Sequence, residues 1–256
     1  MRKKNIKRLL KFIPSRKLRD KVLLMFIAKM YKGNSVTMQP SDFFRINLTI
    51  KEQGNKINID SFRCGAASIS ICGDSNEVTI CQNTEATIFA TIFGSSSRLE
   101  IGEALAGMVH IMIGSSWRSE KAVTNCKVHI GNFNTCGETR FTLIQSNTSI
   151  TTGDDCMFSF DTHLYNSDGH AIRDYDSGKL LNPAHDIKIG NHVWLGWGAA
   201  VMKNVTIADG CVIGRGSIVV KSITESNCCA AGSPCSIIRK NIQWLRGPDN
   251  EFLDNL

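Results

Sequence analysis

Residues 189–224 read IGNHVWLGWGAAVMKNVTIADGCVIGRGSIVVKSIT, and an aliphatic side chain returns at every sixth position: Ile189, Leu195, Val201, Ile207, Ile213 and Val219. Gly follows three of them. A helix repeats near 3.6 residues and a flat strand at 2, so a period of six belongs to neither. The residue four places on is again small or branched: Val193, Ala199, Val205, Cys211, Ser217 and Ile223. Two inward positions per six, with polar or glycine corners between them, describe short extended segments stacked as the sides of a prism. Each Ile, Val or Leu buried in such a stack contributes roughly 1.5–3 kcal/mol.

The same architecture extends upstream in weaker form. Between about residues 57 and 170 the chain offers short β-type runs such as INIDSF, SISICGDSN, RLEIGEA, VHIMIGSS and KVHIGNFN, punctuated by Gly, Asn, Ser and Asp, and no Pro occurs between Pro40 and Pro183. Helical periodicity is absent there, which predicts a repetitive all-β architecture. With 256 residues and 42% hydrophobic content, the chain has ample material for a core, and disorder is excluded for most of it.

The net charge of +7 is unevenly placed. Residues 1–32 carry twelve Lys or Arg against one Asp, which leaves 18 basic and 22 acidic residues, a balance of −4, in the rest. In this arm Leu9, Leu10 and Ile13, then Val22, Leu23, Phe26, Ile27 and Met30, are spaced as two amphipathic helices separated by Pro14. The run VLLMFIA is too short to span a bilayer and lies too far behind charged residues to be a good signal peptide. Two readings follow: the arm lies on an anionic membrane surface, or its apolar stripe packs on its own domain. Nucleic acid is not expected, because no reader motif accompanies the charge. The ten cysteines form no disulfide framework and no C-x-x-C pair, so neither disulfides nor a zinc site is expected; several read as small buried fillers, and the compartment as a reducing cytoplasm.

The six consecutive units from Ile189 to Thr224, with SDGH ending at His170, VWLG containing Trp194, VIGRGSIVVKSI and the closing AAGSPCSIIRK, resemble the hexapeptide-repeat acyltransferases. Within them the chain is similar to bacterial polysaccharide and sialic-acid O-acetyltransferases, over roughly residues 150–240. The resemblance implies a left-handed parallel β-helix with three six-residue sides per turn. That handedness runs against the usual right-handed crossover and could not come from propensity. The expected organisation is a basic arm at 1–45, a β-helix at 46–240 with an excursion loop near 171–186, and a tail at 241–256.

Acetyl transfer from acetyl-CoA to a sugar hydroxyl needs a base, and imidazole has a suitable pKa. The resemblance puts that role on His170. Taken alone, a polar loop histidine is more often without duty; His163, His185 and His192 lie nearby, fall outside the motif and match no zinc signature. His192, at a repeat corner, is expected to be exposed. Trp194 follows inward Val193 and should face outward, where the resemblance makes it a wall of the site and a trimer contact is the plainer reading.

For the coenzyme, the resemblance implies Gly196, Trp197, Arg215, Val220, Lys221 and Arg239 along a groove between coils. Trp197 and Arg215 depart from the small residues usual at their positions. No metal is implied, and without a GxSxG element direct transfer is expected. A homotrimer with sites between subunits and a glycan acceptor are the implied partners. Rival readings are an acetyltransferase for serine, a free sugar or a nucleotide amino sugar, and a non-catalytic β-helix that binds without turnover.

Overall fold

The computed structural model describes residues 3–115 and 122–246. Residues 1–2 of the arm and 247–256 of the tail lie outside the described residues. Two helices come first, α1 (Lys3–Leu10) and α2 (Arg16–Met30), split where Pro14 lacks a backbone donor and Ser15 takes up the N-cap of α2, its hydroxyl accepting the Leu18 N–H at 3.4 Å. Ile6, Leu10, Leu23 and Ile27 are buried in the same core as the coils, so one face of the arm packs on its own domain. Lys3 closes the join: its ammonium donates to the carbonyls of Phe43 and Ile46 and lies 4.4 Å from the Phe43 ring centre, and burial lowers its pKa.

The rest is a left-handed parallel β-helix of about nine turns. One sheet of eight strands runs from Ser35–Met38 to Val205–Ile207 and forms one side. A fourteen-stranded sheet folds over a corner to supply the other two, all parallel except the closing hairpin of Cys229–Gly232 with Cys235–Arg239. The first rung, Ser35–Met38, already pairs with Lys56–Ile59, ten residues ahead of the boundary drawn at residue 45.

All twelve inward positions of the 189–224 repeat are buried, from Ile189 and Val193 to Val219 and Ile223. Gly follows the aliphatic because the next coil is close: a Cβ on Gly196 would stand 2.8 Å from the backbone N of Arg215. The coil length explains why only this stretch shows the period of six. There Asn191 bonds Asp209, 18 residues on, which is three sides of six. In the N-terminal half successive coils are 21 residues apart, and strands such as Glu85–Ser95 run through 11 residues with simple in–out alternation.

Corners are tied by side chains that repeat the backbone ladder. Asn55 donates to the Asn34 Oδ1 at 3.0 Å, Asn76 to the Asn55 Oδ1 at 3.0 Å, and Ser97 N–H to the Asn76 Oδ1 at 3.0 Å. Asn55, Asn76 and Ser97 are buried, so each link replaces water that cannot reach the corner. All ten cysteines are free, six of them buried, with the Cys211 and Cys228 sulfurs 3.6 Å apart. Among the described residues no helix is long and apolar enough to cross a membrane. Asn76→Ala should strand the Ser97 N–H and the Gly94 carbonyl and cost about 3 kcal/mol; a melting temperature equal to wild type would show that the ladder does not hold this corner.

Candidate functional site

A groove of about 740 Å³ runs along one side of the prism, parallel to the axis. Its wall is set by strand register: Thr135 pairs with Met157, Met157 with Trp194 and Trp194 with Val212, so these side chains form one outward column across four coils. The next outward position, two residues further along each coil, is small. Gly137, Ser159, Gly196 and Gly214 line the groove side by side and leave a strip of nearly bare backbone. Such a strip leaves room for a slender chain, while the N–H groups of Ser159, Gly196 and Gly214 donate to the carbonyls of Leu195, Ile213 and Ala230 on the next coil.

Two aromatics bracket the strip. Trp194 is half-buried and its indole N–H donates to the Ser159 hydroxyl at 3.2 Å. Trp197, 51% exposed, meets Phe160 at 5.4 Å between ring centres, and the Arg215 guanidinium lies 5.3 Å from the Trp197 ring. The two departures from the small residues therefore belong together, as a rim carrying a cation over an indole. Cys136 also lines the groove, but burial pushes its thiol up to about 12, so it is protonated at neutral pH and no nucleophile.

His170 does not line this groove. The chain passes from the groove side through Asp161 to the strand Thr162–Tyr165 on the next side, and His170 lies at the corner beyond it, exposed. Here Asn182 pins the loop: its amide donates to the Asp168 carboxylate and the His170 carbonyl, each at 2.8 Å, and its oxygen accepts the Ile172 N–H at 2.6 Å. Lys203 binds Asp168 at 2.5 Å and, with the Asn182 amide, holds its carboxyl below the usual carboxylate range. Gln145 ties both ends of the excursion to the coil, donating to the Ser167 hydroxyl and accepting the Ala184 N–H. The excursion itself is a hairpin with an antiparallel bridge from Arg173 to Leu180.

The candidate residues thus divide by place. Trp194, Gly196, Trp197 and Arg215 share the groove. Val220 and Lys221, both exposed, follow the strand Ile218–Val219 toward the corner occupied by His170. Arg239 pairs with Cys229, one strand beyond Val212 in the Trp194 column, and points to solvent.

His192 departs from expectation. It turns its corner with φ of 51°, is only partly exposed, binds Asp155 at 2.7 Å through Nδ1 and stacks on Trp244 with ring centres 4.0 Å apart. Trp244 is buried, and Arg246 reaches Asp155, the Thr135 hydroxyl and the Cys156 carbonyl at 2.8 Å each, so the described part of the tail straps back beside the groove. Burial works against ionisation of Asp155, but the bonds from His192 and Arg246 outweigh it and lower its pKa. His163 likewise binds Asp161 at 3.0 Å. Among the described residues no three His, Cys, Asp or Glu side chains converge as a metal group.

Phe160, Ser159, Asn182 and the Trp244–Arg246 strap escaped sequence reasoning. Ser159 and Phe160 align with Gly196 and Trp197 only because the strands Met157–Phe158 and Trp194–Leu195 pair across the excursion, an interval of 37 residues rather than a multiple of six.

No protein-family model matches the sequence. The polysialic acid O-acetyltransferase of Neisseria meningitidis is 34% identical over 198 residues, covering 76% of this chain and 88% of the relative. The polysialic acid O-acetyltransferase of Escherichia coli O1:K1 is 35% identical over 134 residues, 52% of this chain, and the match spans only 43% of that longer relative. In three dimensions the polySia-specific acetyltransferase NeuO superposes with a TM-score of 0.72 at 29% identity, covering 83% of this chain and 88% of that one. The polysialic acid O-acetyltransferase OatWY superposes with a TM-score of 0.63 at 26% identity, covering 82% and 95%.

Because the Asp168 pKa is lowered in the folded state, its anchor is complete above the ordinary Asp range and weakens only as pH falls through the depressed value. At neutral pH, Asn182→Ala should therefore be the more direct release of the loop, leaving the Ile172 N–H unpaired. Trypsin cleavage at Arg173 and Lys179 is expected to accelerate by about tenfold; wild-type cleavage rates would mean that Asn182 does not hold the hairpin.

Proposed function

The chain belongs to the polysialic acid O-acetyltransferase family of left-handed β-helix enzymes, and from that premise we propose that it transfers acetyl from acetyl-CoA to a hydroxyl of a bacterial capsule-type glycan, with His170 as general base. The observation that carries this reading is the groove of about 740 Å³ whose floor of small residues lies between Trp194 and Trp197, a mostly apolar channel with room for a pantetheine arm. Arg215 at its rim, with Lys221 and Arg239 further out, supplies cations for the coenzyme's phosphates.

Chemically, the imidazole of His170 takes the proton of the sugar hydroxyl as the oxygen attacks the thioester carbonyl. The C–S bond then breaks, the acetyl group leaves on the sugar oxygen, and the thiolate of coenzyme A takes up a proton. The protonated Cys136 offers no competing acyl-enzyme route in the groove.

His170 and the groove of one chain are separated by a whole side of the prism. We therefore infer a homotrimer in which the His170 corner, with Val220 and Lys221, faces the Trp194 groove of a neighbouring copy. An acidic acceptor is favoured over serine, a free sugar or a nucleotide amino sugar by the relatives, whose named substrate is polysialic acid.

His170→Ala should keep the wild-type melting temperature and lose roughly 100- to 10,000-fold in kcat, measured as acetyl-CoA consumption with an acidic glycan; an unchanged rate removes the base. Mixed oligomers of His170→Ala and Trp194→Ala chains should recover part of the activity that each lacks alone. No recovery would place both residues of a site in one chain.

A further inference from the structure

α2 is apolar on two faces. Its inward stripe of Leu23 and Ile27, flanked by Val22 and Phe26, is taken up by the core. At 3.6 residues per turn the opposite half carries Lys17, Leu18, Lys21, Leu24, Met25, Ala28 and Lys29, all exposed. Leu18, Leu24 and Met25 are 50%, 48% and 66% exposed, and Phe12, in the link from α1, is 85% exposed. No acidic residue lies on that half. Behind it, α1, α2 and the turn Pro40–Asp42 enclose a cavity of about 480 Å³ lined by Lys7, Lys11, Arg16 and Arg19 against the single acid Asp20.

We propose that this outer face of α2, with Phe12, is a docking surface for an anionic phospholipid bilayer. Long apolar side chains interleaved with lysines match the two layers of a membrane interface: acyl chains for Leu18, Leu24, Met25 and Phe12, and headgroups for Lys17, Lys21 and Lys29. An acidic polysaccharide would satisfy the lysines and leave the apolar side chains in water. A second copy of the arm would oppose cations to cations. Because the arm packs on the first coils, the bound chain would hold the remainder of the solenoid away from the lipid.

The test is co-sedimentation of the full chain with vesicles of phosphatidylcholine alone and with vesicles enriched in phosphatidylglycerol. The wild type should pellet with the second and not the first. Leu24→Ser with Met25→Ser, which leaves the charge unchanged, should weaken binding about 10-fold; Lys17→Glu, Lys21→Glu and Lys29→Glu together should weaken it at least about 100-fold. Failure of the wild type to pellet, or equal pelleting by the Leu24→Ser, Met25→Ser variant, overturns the proposal. So does binding to soluble polysialic acid through the lysines in the absence of vesicle binding, which would assign the face to an acidic polymer. Acetyl transfer to a soluble glycan without vesicles reads the groove alone, so this surface and the proposed reaction stand or fall separately.

Discussion

Each coil of this protein rests on the one before it through backbone hydrogen bonds that keep equivalent residues in register, so that every inward aliphatic meets its counterpart on either side. Neither contribution suffices alone. A single coil of 18 or 21 residues would leave its strand edges unpaired and its aliphatics half in water. Stacked, the coils satisfy both at once, and the buried column from Ile57 to Ala230 is continuous. Stacking by itself would still leave an edge at each end of the column. α1 and α2 close one, and the antiparallel hairpin Cys229–Gly232 with Cys235–Arg239 closes the other.

That constraint also fixes where chemistry can be placed. Inward positions are committed to the core and the strand backbones to neighbouring coils, which leaves outward side chains, corners and excursions. The groove uses the first: register aligns Thr135, Met157, Trp194 and Val212 into a wall, and small residues beside them into a slot. His170 uses the last. Its loop departs between Tyr165 and Ile187 and returns without disturbing the ladder, since Thr152 still pairs with Ile189 across it. Asn182, Lys203 and Gln145 then fasten the excursion to the rigid coil. A rigid column thereby carries an exposed imidazole on one corner and a groove of about 740 Å³ on a different side.

The arm shows the same economy from another direction. Its helix α2 has apolar residues all round, and the core can cover only one half of a helix. The outward half, with its lysines, is left for something outside the chain.

How much of this was legible depended on whether an interaction repeats along the chain. The period of six determined the prism, its inward residues and the outward direction of Trp194, because one side chain must fill one fixed position on each side. The split of the arm at Pro14 was equally local, since a missing donor and a fixed φ act on their own turn. The 21-residue coils hid their period, because longer sides reduce the pattern to the alternation common to all strands. Contacts across excursions left no trace in spacing: Phe160 beside Trp197, Trp194 on Ser159, and Trp244 and Arg246 strapped over His192 and Asp155. The sequence by itself thus determined which residues face inward and which are free to act, for that follows from geometry within a coil. Only the tertiary structure decided which of the free residues meet, and that His170 and Trp194 stand on different sides, because the coil a residue touches is set by register between strands and not by distance along the chain.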